Sequence, residues 1–246
     1  MIPVLVAHRG YMERYPENSL SSIRAALESG ACMVEFDVQM DAAGRLVLLH
    51  DDNFKRTAGI AASVFELNDY TQISVHEPER LGDTFRPEPV PELAQVLAVL
   101  LEYPAATAFV EIKDESLQRW GVSKVVDQAL SSVAVARQQC VIISDNLDAL
   151  LYVKARSDVR IGWVIHRYND ACYKLARQHQ PDFMLCNYRR IKNTPWPGNW
   201  QWMLYDISDP ELAMEWANKG VDLIETRDIG TLLQHPRLKQ RSCRRG

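Results

Sequence analysis

Short apolar runs alternate with amphipathic stretches along nearly the whole chain. Val4 to Ala7 is a continuous apolar run with β-branched residues, the pattern of a buried strand. Leu20, Ile23, Ala26 and Leu27 recur at helical spacing, with Asn18 or Ser19 able to cap the start and Gly30 to stop it. Ala31 to Val38 and Leu46 to His50 read as strands on either side of the turn Asp41-Ala42-Ala43-Gly44. Residues 51–91 carry little apolar pattern and gather Pro78, Pro87, Pro89 and Pro91, which predicts an excursion with limited structure. Pro91-Glu92-Leu93 then opens a helix with Leu93, Val96, Leu97, Leu100 and Leu101 on one face. Strands are predicted over Ala108–Lys113, Val141–Ser144, Arg160–Ile165, Phe183–Cys186, Trp202–Asp206 and Asp222–Glu225. Helices are predicted between and after them, over Gly121–Val133, Leu147–Ala155, Asp170–Gln178, Pro210–Lys219 and Ile229–Gln234.

Strand and helix in alternation indicate a parallel α/β fold. At 246 residues an eight-stranded (β/α)8 TIM barrel is favoured over a doubly wound sheet. No Gly-x-Gly-x-x-Gly follows the first strand, which argues against a dinucleotide fold. Nine strand-like runs compete for eight barrel places. One therefore lies outside the barrel, or the barrel is irregular between Glu35 and His50, with a small excursion after the third strand. Residues 1–236 are expected to form one domain and 237–246 a basic, flexible tail. The Trp-rich stretch Pro195 to Trp202 is read as aromatic packing over the barrel end, ahead of a membrane-surface role.

Composition narrows the function. The chain is 47% hydrophobic, enough for a sizeable core, and its net charge of −4 excludes a global basic field for nucleic acid. Five scattered cysteines, odd in number and without a Cys-x-x-Cys pair, argue against a disulfide framework or zinc knuckle. A reducing compartment is expected from them. The N-terminal apolar run is short and lacks a basic n-region, and no run reaches the ~18 apolar residues that span a bilayer. A cytoplasmic protein with no integral membrane segment and a small-molecule substrate is the expectation.

The chemistry-bearing residues cluster at strand ends. Residues two apart on a strand share a face, so Glu35 and Asp37 point the same way, as do Glu111 and Lys113. His8 and Arg9 follow the first strand, and His50 ends another. In a β/α barrel these ends meet at one mouth. Three carboxylates there repel one another unless a hard divalent cation, Mg²⁺, Ca²⁺ or Mn²⁺, joins them. Arg9 and Lys113 add positive charge that suits a phosphate, and two histidines could take and give a proton.

These residues resemble the glycerophosphodiester phosphodiesterase family. The motifs are His8-Arg9-Gly10, Pro16-Glu17-Asn18, Glu35-Phe36-Asp37-Val38, Asp41 to Gly44, His50-Asp51, Arg56-Thr57 and Glu111-Ile112-Lys113. The resemblance implies an enzyme: a barrel hydrolysing glycerophosphodiesters to sn-glycerol 3-phosphate and an alcohol. It implies Glu35, Asp37 and Glu111 as ligands of one Mg²⁺ or Ca²⁺ ion, His8 as base, His50 as acid, and Arg9 and Lys113 at the phosphate. Glu17 is expected to orient Arg9 or the first loop rather than to touch substrate. Alternatives are a related phosphodiesterase acting on lysophospholipids, or an inactive barrel that binds glycerol phosphate. Departures from the family pattern include Met40, Ser144-Asp145, Met203-Leu204-Tyr205-Asp206 and Glu225-Thr226 in place of Thr-Asp. They are expected where the leaving alcohol sits and leave the head group open.

Overall fold

Eight parallel strands close on themselves in a computed structural model that describes residues 1–67, 69–70 and 72–243. In chain order the strands are β1 (Val4–Ala7), β2 (Met33–Met40), β3 (Leu46–Leu48), β4 (Ser74–Val75), β5 (Glu88–Pro89) and β6 (Thr107–Ile112). They continue as β7 (Cys140–Ser144), β8 (Arg160–Ile165), β9 (Phe183–Asn187), β10 (Gln201–Tyr205) and β11 (Leu223–Thr226). The barrel runs β1, β2, β6, β7, β8, β9, β10, β11 and back to β1. The ninth strand-like run is β3, antiparallel to β2 and outside the barrel. A TIM barrel is thus the architecture, as the alternation predicts.

Alternation along each strand builds two cores. Inward residues Val6, Phe109, Val141, Ile143, Val164, Phe183, Leu185, Met203 and Leu223 fill the barrel. Phe109 and Phe183 meet edge-to-face at 5.1 Å across its interior. Gly162 leaves room for Ile143 and Leu185, since a Cβ there would lie 2.8 Å from both. Outward residues of the same strands pack against the helix faces, including Ile23, Leu27, Leu93, Val96, Leu97 and Leu100. Ser19 caps the helix Leu20–Glu28 by accepting from the Ser22 N–H. A short helix over Asp114–Trp120 has no counterpart in the apolar pattern, because it buries only Ser116 and Leu117.

Three regions differ from expectation. Residues 51–91 hold more structure than their pattern predicts: two four-residue helices, Lys55–Ala58 and Pro78–Leu81, and the β4–β5 hairpin. Their core gathers Phe54, Val64, Tyr70, Ile73, Val75 and Val90 with Val47 and Leu49, residues too scattered to show a period. The C-terminal tail, expected to be flexible, is folded against the rest of the chain over its described part. Leu238–Arg241 forms a 3₁₀ turn with Leu238 buried, and the Cys243 N–H donates to Gly30 O at 2.9 Å. Residues 244–246 lie outside the described residues. Cys32 and Cys243 form a disulfide across 211 residues of sequence, which the odd cysteine count argued against; Cys140, Cys172 and Cys186 stay free. Distance in sequence hides such a pair. The tryptophan loop packs inward: Trp196 stacks on Tyr168 at 3.9 Å, and Trp202 Nε1 donates to Trp196 O at 2.9 Å.

Candidate active site

The inward row of each strand changes from apolar to charged as it reaches the C-terminal end of the barrel. Val6 is followed two residues later by His8, Met33 by Glu35 and Asp37, Phe109 by Glu111, and Leu223 by Glu225. Register brings these rows together, since Asp37 pairs with Glu111 between β2 and β6. Potential metal-ligating atoms of Glu35, Asp37 and Glu111 all lie within 4.8 Å of one another. Those of His8, Glu35 and Glu225 do so as well.

Two cations bind this carboxylate cluster. Arg9 Nε lies 3.1 Å from Asp37 Oδ2, and Arg9 Nη1 donates to Glu17 Oε1 at 2.8 Å. Lys113 Nζ donates to Glu111 Oε1 at 2.9 Å and lies 3.4 Å from Asp37 Oδ1. Burial alone would raise the Asp37 carboxyl, but Arg9 and Lys113 hold it far below the usual carboxylate range. Glu35 has weaker compensation. Burial, with Asp37 and Glu225 nearby, pushes its carboxyl well above the usual range. Burial, with Asp37 nearby, raises Glu111 against the pull of Lys113.

The loop after β1 sets this geometry. Arg9 adopts φ 51° and donates its backbone N–H to Glu35 Oε2 at 3.1 Å. Gly10 follows at φ 77°, where a Cβ would lie 2.2 Å from Ser22 Oγ and 2.6 Å from Ser22 C. Only glycine lets the loop press onto the helix that begins at Leu20. Glu17 is buried and joins Arg9 to Arg56, and Arg56 Nε donates to Asp51 Oδ2 at 2.9 Å.

The histidines are held differently. His50 Nδ1 sits 2.8 Å from Asp51 Oδ1. Burial pushes against ionisation of Asp51, yet hydrogen bonds from Arg56 and His50 keep its carboxyl below the usual range. His8 Nε2 lies 3.3 Å from Glu225 Oε1 and 3.8 Å from Glu35 Oε2. Burial, and then the Arg9 cation, lower the His8 pKa to about 3, so the ring is neutral near pH 7. Both histidines line a cavity of about 200 Å³ with Arg9, Glu111, Lys113 and Glu225, over an apolar floor of Ile143, Val164 and Leu185. Beyond His50 and Arg9 a wider cleft of about 610 Å³ runs along Glu17, Asp51, Arg56 and Arg80.

The model of the glycerophosphoryl diester phosphodiesterase family matches residues 8–186. The chain belongs to that family.

A Bacillus altitudinis glycerophosphodiester phosphodiesterase is 31% identical over 133 residues, 51% of this chain and 51% of that protein. Human glycerophosphodiester phosphodiesterase 1 is 34% identical over 111 residues, 44% of this chain and 33% of that one. The chain thus spans about half or less of the length of these curated relatives. Among solved structures, an Oleispira antarctica phosphodiesterase in complex with sn-glycerol-3-phosphate superposes with a TM-score of 0.82 at 20% identity, covering 95% of this chain and 96% of that one. The Thermotoga maritima glycerophosphodiester phosphodiesterase gives 0.70 at 19%, covering 95% and 98%. At this identity the structures establish the shared barrel.

Every site residue marked from sequence in this family member lies at the same mouth: His8, Arg9, Glu35, Asp37, His50, Glu111 and Lys113. Sequence reasoning passed over two more. Asn18, read as a helix cap, instead turns inward to Asp37. Glu225, read only as a departure from the family pattern and expected beside the leaving alcohol, stands beside His8. Its signal was available, since Glu225 follows Leu223 on β11 as Glu111 follows Phe109 on β6. The carboxylate cluster fits a divalent cation by its chemistry. Its donors are hard oxygens, and buried Glu35 Oε1 has no hydrogen-bond partner.

Proposed function

We propose that this chain is a metal-dependent phosphodiesterase that hydrolyses glycerophosphodiesters to sn-glycerol 3-phosphate and an alcohol. The observation that carries this reading is the convergence on one cavity of His8, His50, Arg9, Lys113 and Glu111, with Glu35 and Asp37 adjoining. The relative from Oleispira binds sn-glycerol-3-phosphate, which supports that choice of product.

In this reading Glu35, Asp37 and Glu111 hold one Mg²⁺ or Ca²⁺ ion, with Mn²⁺ also suited to the oxygen donors. Such an ion would offset the carboxylate charge and would supply Lewis-acid stabilisation to the phosphoryl group. Arg9 and Lys113 attract and orient the phosphodiester. His8, neutral at working pH, takes a proton from the attacking water. His50 gives a proton to the departing alcohol oxygen as the P–O bond to it breaks. Asp51 accepts from His50 Nδ1, which leaves Nε2 for proton transfer.

No helix among the described residues is long and apolar enough to cross a membrane. A cytoplasmic location and the Cys32–Cys243 bond pull in opposite directions, because cytosolic reductants keep most cysteines as thiols.

The test is release of sn-glycerol 3-phosphate from glycerophosphocholine and glycerophosphoethanolamine, with EDTA and then with Mg²⁺, Ca²⁺ or Mn²⁺ restored. Turnover that stops with chelator and returns with metal is expected. Failure to release product with any metal would overturn the reading.

A further inference from the structure

The other carboxylates of the mouth have donors. Asp37 has Arg9, Lys113 and Asn18; Glu111 has Lys113; Glu35 has the Arg9 N–H. Glu225 differs. It is 4% exposed and lines the cavity, yet among the described residues no N–H or O–H donates a hydrogen bond to its side chain. Its close contact is His8 Nε2 at 3.3 Å. A buried acceptor facing a cavity without a donor is poised for one supplied by a ligand.

The surroundings say which part of a ligand supplies it. His50, the acid of the proposed reaction, must stand beside the leaving oxygen, and the wide cleft past His50 has room for a variable alcohol. The Glu225 side is smaller, about 200 Å³, with an apolar floor and a second acid, Asp206, in its wall. An apolar floor suits the carbon face of a short polyol, and carboxyl oxygens above it suit the hydroxyls. A carboxyl group offers an acceptor oxygen in either ionisation state, so this fit does not depend on titration.

We propose that Glu225 is a specificity residue that accepts a hydrogen bond from a hydroxyl of the glycerol moiety. The inference rests on the glycerophosphodiester reading above and extends it to the recognition of one half of the substrate.

The experiment uses the metal-loaded protein and two ligands, sn-glycerol 3-phosphate and methyl phosphate, which share a phosphate monoester but differ in hydroxyls. Calorimetric titration of wild type should show a preference for glycerol 3-phosphate. Glu225→Ala should weaken that ligand by about two- to tenfold, the range for the net contribution of one hydrogen bond. Its affinity for methyl phosphate and its metal stoichiometry should be unchanged. Glu225→Gln, which keeps an acceptor oxygen and the side-chain shape, should recover much of the preference and guards against misfolding of the Ala variant. In turnover, Glu225→Ala should raise KM for glycerophosphocholine with kcat nearly constant. Equal weakening of both ligands, loss of metal, or a fall in kcat at constant KM would overturn the proposal in favour of action through His8 or the metal. Wild type with no preference for glycerol 3-phosphate overturns it whether or not diesters turn over. A preference without turnover overturns only the hydrolytic reading.

Discussion

Asn18 and Asp37 exchange hydrogen bonds in both directions. Asn18 Nδ2 donates to Asp37 Oδ2 at 2.9 Å, and the Asp37 backbone N–H donates to Asn18 Oδ1 at 3.1 Å. To reach it, Asn18 takes φ 52°, a conformation asparagine tolerates better than most residues. The pair fixes the rotation of a carboxylate that Arg9 and Lys113 also grip. Asn18→Ala should therefore weaken divalent metal binding by about 10–100-fold, the usual effect of losing a group that orients a ligand. Stability should fall by about 1–3 kcal/mol, because a buried acceptor and a buried N–H lose partners. Isothermal titration with Mg²⁺ or Ca²⁺ and urea denaturation check both. Unchanged metal affinity would mean the two cations orient Asp37 unaided.

His50 and Asp51 offer a separation of proton transfer from folding. His50 is part-exposed at the cavity edge, and its Nδ1 meets Asp51 Oδ1 at 2.8 Å. Truncating a part-exposed side chain leaves the barrel core intact. His50→Ala should lower kcat by about 10²–10⁴-fold, the range for a lost general acid, with the melting temperature little changed. Asp51→Asn should cost less, because the ring stays in place while its charged partner is lost. An active His50→Ala protein would sink the acid assignment.

If the cluster holds a divalent cation, its affinity and pH are linked through the raised carboxyls. Glu35 and Glu225 have folded values above the ordinary glutamate value of about 4.3, so the folded metal-free protein holds more protons than the unfolded chain just above that pH. The carboxyl contribution to the stability of metal-free protein should then fall as pH rises from about 4.5 toward neutrality, against an opposite rise from His8, whose folded value of about 3 lies below its ordinary value of about 6.5. Asp37, held low, acts oppositely: its contribution is present above about 3.9 and is lost only in stronger acid. A divalent cation prefers ionised carboxylates, so its stabilising effect should grow across the window where Glu35 and its neighbours lose their protons. Thermal melts at pH 5 and pH 8, with EDTA and with Ca²⁺, measure this. A metal-induced rise in Tm that is no larger at pH 8 would contradict the linkage.

How far these features were legible depends on the range over which their cause acts. The parallel barrel follows from local periodicity, and Phe109-Val110-Glu111-Ile112-Lys113 shows its inward row directly. The strand outside the barrel could be counted but not chosen, because Leu46–Leu48 is as apolar as the strands inside. What selects it is the four-residue turn from Asp41 to Gly44, too short for a parallel crossover. The Asn18–Asp37 exchange was hidden because asparagine before a helix also reads as a cap. Glu225 was hidden because attention to the family pattern treated it as a deviation, although its inward position follows the same two-residue period as Glu111. The excursion core and the Cys32–Cys243 bond leave no periodic trace at all.

The Cys32–Cys243 bond should stabilise the fold without altering catalysis. Cys32 immediately precedes β2, at the end of the barrel opposite the mouth, and Cys243 reaches it after the chain has closed the barrel through β11. The bond ties the C-terminal turn, with buried Leu238, to the loop at Gly30. A link between residues so far apart restricts the unfolded chain strongly, and such bonds contribute about 2–5 kcal/mol. Reduction, or Cys243→Ser, should lower unfolding free energy by about that amount. Catalytic constants should stay the same, because the bond lies at the end of the barrel opposite the mouth. Thiol titration of the unfolded, unreduced protein should count three groups, Cys140, Cys172 and Cys186, out of five cysteines. Five titratable thiols with no effect of reductant on Tm would show that the pair is unbonded in solution. The C-terminal turn would then be held by Leu238 and its backbone hydrogen bonds alone.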